Sequence, residues 1–329
     1  MLCSFNGTLL SAVLPPFLLT QFVLGALGNG LALWIFCFHL KPWKSSTVLL
    51  FNLAMTDFLL ILVLPFRASY FLSQLQWNFG SSFCNICLFM LAMNRRGSTL
   101  FLMAIALDRY MHVVHPHHPV NFVSPSKAMC GASVLWLLAV SMSAQVFTLN
   151  HTNSTYCQSL SLPDTELPGR LTWHKLAFAF SFYIPLLVIL YCTVSITLHL
   201  RRRRFAQEAK TKHALRLLIV VVVVFVICFL PSNITQIVMW YRITKADLTT
   251  VFNFTISLTY LNSVLDPVVY YFSNPAFKDI FRRALHLPQA SDTAESPERK
   301  TRHSGSHSNT SKGNSKRCSQ SAGSKQKVK

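Results

Sequence analysis

Seven stretches of this chain are continuously apolar, and each is long enough to cross a bilayer at about 20 residues of helix. They lie near residues 12–38, 47–72, 82–113, 128–149, 171–200, 214–240 and 250–273. Their apolar character is unbroken rather than alternating, so helices are the expected spanning form. Only 12% of the 329 residues are charged, about half the share of a soluble domain. So little charge cannot keep such a chain dissolved, and most of it must face lipid. The first stretch opens without a basic flank and runs at full spanning length, so it reads as a span and not as a cleavable signal.

The net charge of +19 would suit a nucleic-acid binder, but its location argues otherwise. Lys and Arg gather after the first, third and fifth stretches and in the C-terminal tail, and none precedes the first stretch. The positive-inside rule therefore places the N-terminus outside and the C-terminus in the cytosol, and an odd number of spans agrees. The expected organisation is an extracellular N-terminus at 1–11, a seven-span domain at 12–273, a surface helix at 274–286 and a disordered cytoplasmic tail at 287–329. In the surface helix, Phe277, Ile280 and Phe281 alternate with Lys278, Arg282 and Arg283, which suits the inner membrane surface. The tail is rich in Ser, Lys, Gly and Asn.

Nine cysteines are present, most of them within spans, where a thiol packs as a small hydrophobe. Cys84 opens the third span on the outer side and Cys157 lies in the second outer loop, so both face the oxidising compartment and a disulfide between them is expected. Cys3 is also outside. The sequons at Asn6, Asn150 and Asn153 fall on outer segments and are candidate glycosylation sites. Those at Asn233, Asn253 and Asn309 fall in spans or in the cytosol and are discounted.

Polar residues inside the spans form a pattern. They are Asn29 in span 1, Asp57 in span 2, Asp108-Arg109-Tyr110 closing span 3, Trp136 in span 4 and Pro185 in span 5. Span 6 carries Cys228-Phe229-Leu230-Pro231, and span 7 carries Asn262-Ser263 followed by Asp266-Pro267 and Tyr270. One such feature per helix, in this order, with Cys84 placed 25 residues before Arg109, resembles the rhodopsin-like (class A) G-protein-coupled receptors. That resemblance implies an all-α membrane protein: a seven-transmembrane helix bundle followed by a short amphipathic helix.

By the same resemblance, Arg109 is held by Asp108 at rest and meets the G protein when active. Tyr110, Phe229, Pro231, Asp266, Pro267 and Tyr270 belong to the switch. Asp57, Ser98, Asn262, Ser263 and Asp266 resemble a cluster that holds a sodium ion; physically, a buried Asp57 needs a cation or a proton. No other metal or cofactor is implied. Three positions depart from the family pattern. Phe229 stands where many members have Trp, Thr193 where many have Tyr, and Thr211 where some have an acid facing Arg109.

Arg95 and Arg96 sit in mid-span, where arginine is least tolerated. Arg95 lies 11 residues after Cys84 and 14 before Arg109. At about 100° per residue this puts all three near the interior face, and at about 1.5 Å per residue Arg95 is roughly 16 Å below Cys84. Arg96 points toward span 4 or 5. Arg67 supplies a second cation near the cavity mouth. No interior acid is available to either, and guanidinium forks match carboxylates; backbone carbonyls, water or chloride are the alternative partners.

The segments 88–95, 113–118 and 258–267 resemble the hydroxycarboxylic acid receptors and the related oxoeicosanoid receptor. The resemblance implies that Arg95 anchors a ligand carboxylate, with Tyr260 and Ser159 contributing hydroxyls. It also implies inhibition of adenylyl cyclase through Gi/o, arrestin recruitment by the phosphorylated tail, and a place in the plasma membrane. Gln236 replaces an arginine found in several of these receptors, which favours a larger and more apolar acid. Another anion such as a nucleotide would use the same arginines. A seven-span transporter would need internal repeats, which are not seen. An enzyme would need a nucleophile–base pair or a metal-ligand cluster, and the chain has neither pattern.

Overall fold

The computed structural model describes residues 2–148, 157, 168–202, 208–241 and 246–285. Ser159, Asn150 and Asn153 lie outside the described residues, as does the segment from residue 286 onward. Among the described residues, nine α-helices follow one another: α1 (Leu2–Phe38), α2 (Ser45–Leu72), α3 (Ser81–Val114), α4 (Pro125–Ser143), α5 (Pro168–Arg202), α6 (Glu208–Tyr241), α7 (Ala246–Tyr260), α8 (Asn262–Ser273) and α9 (Pro275–Ala284). Single 3-10 turns precede and follow α4. Five stretches, in α1, α2, α4, α5 and α6, are long and apolar enough to span a membrane by composition alone. The helix α3 spends its apolar character on Arg95, Arg96, Asp108 and Arg109.

Three boundaries differ from the sequence reading. First, α1 starts at Leu2, so the 1–11 segment is helical almost from its beginning, and Asn6 falls within it. Second, the seventh stretch is two helices, α7 and α8, interrupted at Leu261. There the bonds from Leu261 N to Leu258 O and from Val264 N to Leu261 O tighten the turn to the 3-10 form. Third, α4 ends at Ser143 and continues as the 3-10 turn Ala144–Thr148. Arg96 of α3 donates to the Met142 carbonyl in the last turn of α4, satisfying an orphan acceptor where the macrodipole is negative.

Side chains of opposite character sort radially. Leu27, Trp34 and Phe38 of α1, Val134 and Leu137 of α4, Leu187 and Val194 of α5, and Ile219 and Ile227 of α6 are exposed. A belt of this kind is stable only against hydrocarbon. Inside, among the described residues, two large apolar clusters form, with a smaller third around Met93, Leu100 and Ala139. The inner one joins Phe36, Phe101, Phe225, Phe229, Tyr270 and Phe277. The outer one joins Tyr70, Phe71, Trp77, Leu88, Tyr260 and the cystine partners Cys84 and Cys157. Among them lies a set of fully buried polar residues: Asn29, Thr56, Asp57, Asn94, Ser98, Asn262, Ser263 and Asp266.

Close helix approach is built on two glycines. A Cβ on Gly28 would lie 2.7 Å from Pro267 Cγ, and one on Gly97 would lie 2.7 Å from Thr56 Cγ2. The first contact seats α1 on α8 and the second seats α3 on α2. The indole of Trp136 donates to Asn52 Oδ1 at 2.8 Å, pinning α4 to α2. After Ser273, Asn274 caps α9 by accepting from Ala276 N at 3.0 Å, with Pro275 at the first helical position. Phe277 is buried against Phe36, their ring centroids 5.2 Å apart, which docks the amphipathic α9 on α1.

Candidate functional site

The outer part of the bundle holds two guanidiniums. Arg67, on the second turn from the C-terminal end of α2, is buried and donates from Nη1 to the Cys157 carbonyl at 2.7 Å. Cys157 is bonded to Cys84 at the start of α3, their Cα atoms 5.7 Å apart, so the expected disulfide is present and Arg67 is tied to it. Its guanidinium also lies 5.0 Å from the ring centroids of both Tyr70 and Phe71, contacts worth on the order of 1 kcal/mol each. The charges of Arg67 and Arg95 both bear on the phenol of Tyr260. The Nε of Arg67 is buried and has no partner.

Arg95 of α3 donates from Nη2 to Ser232 Oγ of α6 at 3.2 Å. Among the described residues neither guanidinium has a carboxylate within ion-pair distance; the ion pairs are those of Asp108. The structure thus gathers Arg67, Arg95 and Tyr260. Gln236 lies half-buried about one turn beyond Ser232 on α6. Arg96, next in sequence to Arg95, turns to α4 as expected.

Deeper in the bundle, Asp57 Oδ1 accepts from Asn94 Nδ2 at 3.1 Å and Oδ2 from the Tyr270 hydroxyl at 3.2 Å. Asn94 also reaches Ser98 Oγ at 3.4 Å, and Ser98 is 3.0 Å from Thr56 Oγ1. The Asp266 carboxyl lies close enough to interact with Asp57, and its Oδ2 accepts from Asn262 Nδ2 at 2.9 Å. Asp266 Oδ1 and Asn262 Oδ1 are buried without partners. Two buried carboxyls this close require a proton or a cation between them, because two bare charges in low dielectric repel strongly. Four of the five cluster residues therefore converge. Ser263 does not join them: its hydroxyl donates to the Tyr260 carbonyl at 2.9 Å and its flank meets Gly25 of α1. Because Pro267 has no N–H, the Ser263 carbonyl lacks its helical donor; Asn29 Nδ2 supplies one at 2.7 Å, while its Oδ1 accepts from Tyr270 at 2.9 Å.

At the end of the bundle away from the disulfide, Arg109 pairs with Asp108 at 3.5 Å and donates to Ser273 Oγ at 3.2 Å. Asp108 in turn accepts from Ser46 of α2 at 2.8 Å. The Tyr110 hydroxyl lies 3.2 Å from His115 Nε2 and 3.5 Å from the Tyr191 hydroxyl. Thr193 bonds back to the Ile189 carbonyl of its own helix at 2.7 Å, so it does not stand in for the tyrosine it replaces. Phe229 is buried against Phe225, ring centroids 5.1 Å apart. Its carbonyl, two residues before Pro231, accepts from Ser232 Oγ at 3.0 Å and Asn233 Nδ2 at 2.6 Å.

Asn94, Ser232, Ser46 and Ser273 were not singled out from the sequence. Asn94 carried a signal, since it stands one turn before Ser98 and next to Arg95; the three serines carried none that separates them from other small polar residues in spans.

Residues 28–270 match the model of the 7 transmembrane receptor (rhodopsin family). The chain is 44% identical over 297 residues to hydroxycarboxylic acid receptor 3 of Homo sapiens, covering 86% of this chain and 76% of that protein. It is 43% identical to hydroxycarboxylic acid receptor 1 of Mus musculus, covering 85% and 83%. Against oxoeicosanoid receptor 1 of Homo sapiens it is 40% identical, covering 91% and 80%. With this match across the helical domain, the disulfide and one family feature on each helix, the chain belongs to the rhodopsin family of seven-transmembrane G-protein-coupled receptors and is not an enzyme.

Proposed function

We propose that this receptor responds to a carboxylic acid, a hydroxy acid or an oxidised fatty acid, and signals through Gi/o to inhibit adenylyl cyclase. The observation that carries the reading is that Arg67 and Arg95, on two different helices, both face Tyr260 while no carboxylate pairs with them among the described residues. An arginine inside a span costs about 3 kcal/mol or more, and a ligand carboxylate offsets this with paired, charge-assisted bonds. Relatives named for hydroxycarboxylic acids and for oxoeicosanoids share carboxylate chemistry, which supports the class. Gln236 contributes no charge, and that favours an acid with an apolar tail.

In this reading Arg95 anchors the carboxylate, while Arg67, Tyr260 and the loop Ser159 complete the polar end. The N-terminus faces the outside of the plasma membrane, and the phosphorylated tail recruits arrestin. Asp57, Ser98, Asn262 and Asp266, joined by Asn94, hold a sodium ion at rest. The test is the fall of forskolin-raised cyclic AMP in cells expressing the receptor. The panel runs from lactate and 3-hydroxybutyrate to oxidised arachidonate, with and without pertussis toxin. A toxin-sensitive fall that Arg95→Ala abolishes, with surface expression retained, is the expected result. Agonism of undiminished potency in Arg95→Ala would sink the site assignment, and a response to nucleotides alone would replace the ligand class.

A further inference from the structure

We propose that Ser232 is a positioning residue: it ties Arg95 to the kinked segment of α6, and a ligand carboxylate releases α6 by taking Arg95 away from it. The proposal rests on the reading of Arg95 as the carboxylate anchor. Ser232 Oγ is fully buried. It donates to the Phe229 carbonyl at 3.0 Å and accepts from Arg95 Nη2 at 3.2 Å. A hydroxyl has one proton; with that proton committed to Phe229, its lone pairs face the guanidinium, and the roles cannot be exchanged.

The chain of contacts therefore runs from the guanidinium, through one hydroxyl, to the carbonyl of Phe229. That carbonyl lies at the weakest part of α6. Pro231 deprives the helix of one N–H there, and a serine bonding back to a carbonyl one turn earlier bends a helix further. Asn233 Nδ2 loads the same carbonyl at 2.6 Å. The Phe229 ring packs on Phe225, which stacks on Phe182 of α5 with centroids 5.5 Å apart. A displaced Ser232 thus reaches both the bend of α6 and its aromatic contact with α5.

A carboxylate outcompetes a hydroxyl for a guanidinium, because it brings a full opposite charge and two acceptor oxygens that match the fork. A ligand can shift a conformational equilibrium only through contacts that differ between the two states. Here the contact that would differ is the Arg95–Ser232 bond, which a bound carboxylate replaces.

The experiment uses the full-length receptor, purified without ligand, carrying spin labels at positions 127 and 212 on the inner ends of α4 and α6, with the exposed Cys130 replaced by Ser. Ser232→Ala is expected to raise the ratio of widely to closely separated labels about tenfold or more, the effect of losing one bond to a charged group. Arg95→Ala should do the same, and the double variant should show no more than either alone, since both remove one shared contact. Ser232→Thr keeps the hydroxyl and restores the wild-type distribution. Ser232→Cys, a weak acceptor of similar size, replaces Ser232→Ala should that variant fail to fold. An unchanged distribution in Ser232→Ala and Ser232→Cys, or full additivity in the double variant, overturns the tie. Because none of these readings needs a ligand, silence of the wild type toward every acid would count against the proposed ligand class alone.

Discussion

Arg109 Nη2 donates to Ser273 Oγ at 3.2 Å, fastening the inner end of α3 to the last residue of α8. Asp108 balances the charge at 3.5 Å and is itself held by Ser46. The ends of α2, α3 and α8 that lie away from the disulfide are thereby joined through two serine hydroxyls and one ion pair. Ser273→Ala should loosen this joint by about 1 kcal/mol, so that ligand-free nucleotide exchange on the G protein rises about two- to fivefold. Ser273→Thr should not raise it. Equal basal exchange in wild type and Ser273→Ala would show that Asp108 alone restrains Arg109.

The contact of Gly97 with Thr56 gives a prediction with a built-in control. Gly97→Ala drives a methyl to within 2.7 Å of Thr56 Cγ2, overpacking that costs about 1–3 kcal/mol. It should appear as a lowered melting temperature of the purified receptor. Thr56→Ser removes the opposing methyl and keeps the hydroxyl that meets Ser98, so the double variant should recover most of the loss. Additive losses would place the strain elsewhere.

Around Asp57, the unpartnered oxygens of Asp266 and Asn262 predict a sodium response. Raising sodium chloride at constant ionic strength should weaken agonist binding in the wild type. Asp57→Asn should abolish that dependence, because it removes one of the two carboxyls that demand a cation. Sodium sensitivity persisting in Asp57→Asn would move the ion from this cluster.

At Arg67 the shape of the side chain should matter as well as its charge. The fork lies between the Cys157 carbonyl and Tyr260 while its plane rests on Tyr70 and Phe71. Arg67→Lys keeps the cation but cannot reproduce either contact. Agonist potency should fall about tenfold, roughly 1.4 kcal/mol, in a concentration–response curve. Unchanged potency would reduce Arg67 to a point charge.

The features legible from sequence are those that violate the solvent they sit in. Arg67, Arg95 and Asp57 are charges inside apolar runs, and Cys84 and Cys157 stand on one side of a membrane whose orientation the lysines and arginines set. Ser232, Ser273 and Ser46 violate nothing. Small hydroxyls are common in spans, where they bond to their own helix, and only packing decides which of them crosses to a neighbour. Ser263 illustrates the reverse: it has the right spacing for the carboxylate cluster, yet its hydroxyl stays on its own helix. The interruption of the seventh span was hidden for a similar reason. Pro267 marks a weak point, but the turn tightens at Leu261, an apolar residue with no breaking tendency of its own. Gly28 and Gly97 are visible as glycines, but their partners Pro267 and Thr56 are set by helix packing.

Consecutive residues Arg95 and Arg96 reach in different directions, one to Ser232 of α6 and the other to the Met142 carbonyl of α4. Two such arms fix the rotational setting of α3 as outriggers fix a spindle. When one arm lets go, the other still grips, and the imbalance acts as a torque about the long axis of α3 instead of a push along it. The two arms thereby set which face of α3 turns toward α6, and with it the direction in which Arg109 points 14 residues further on.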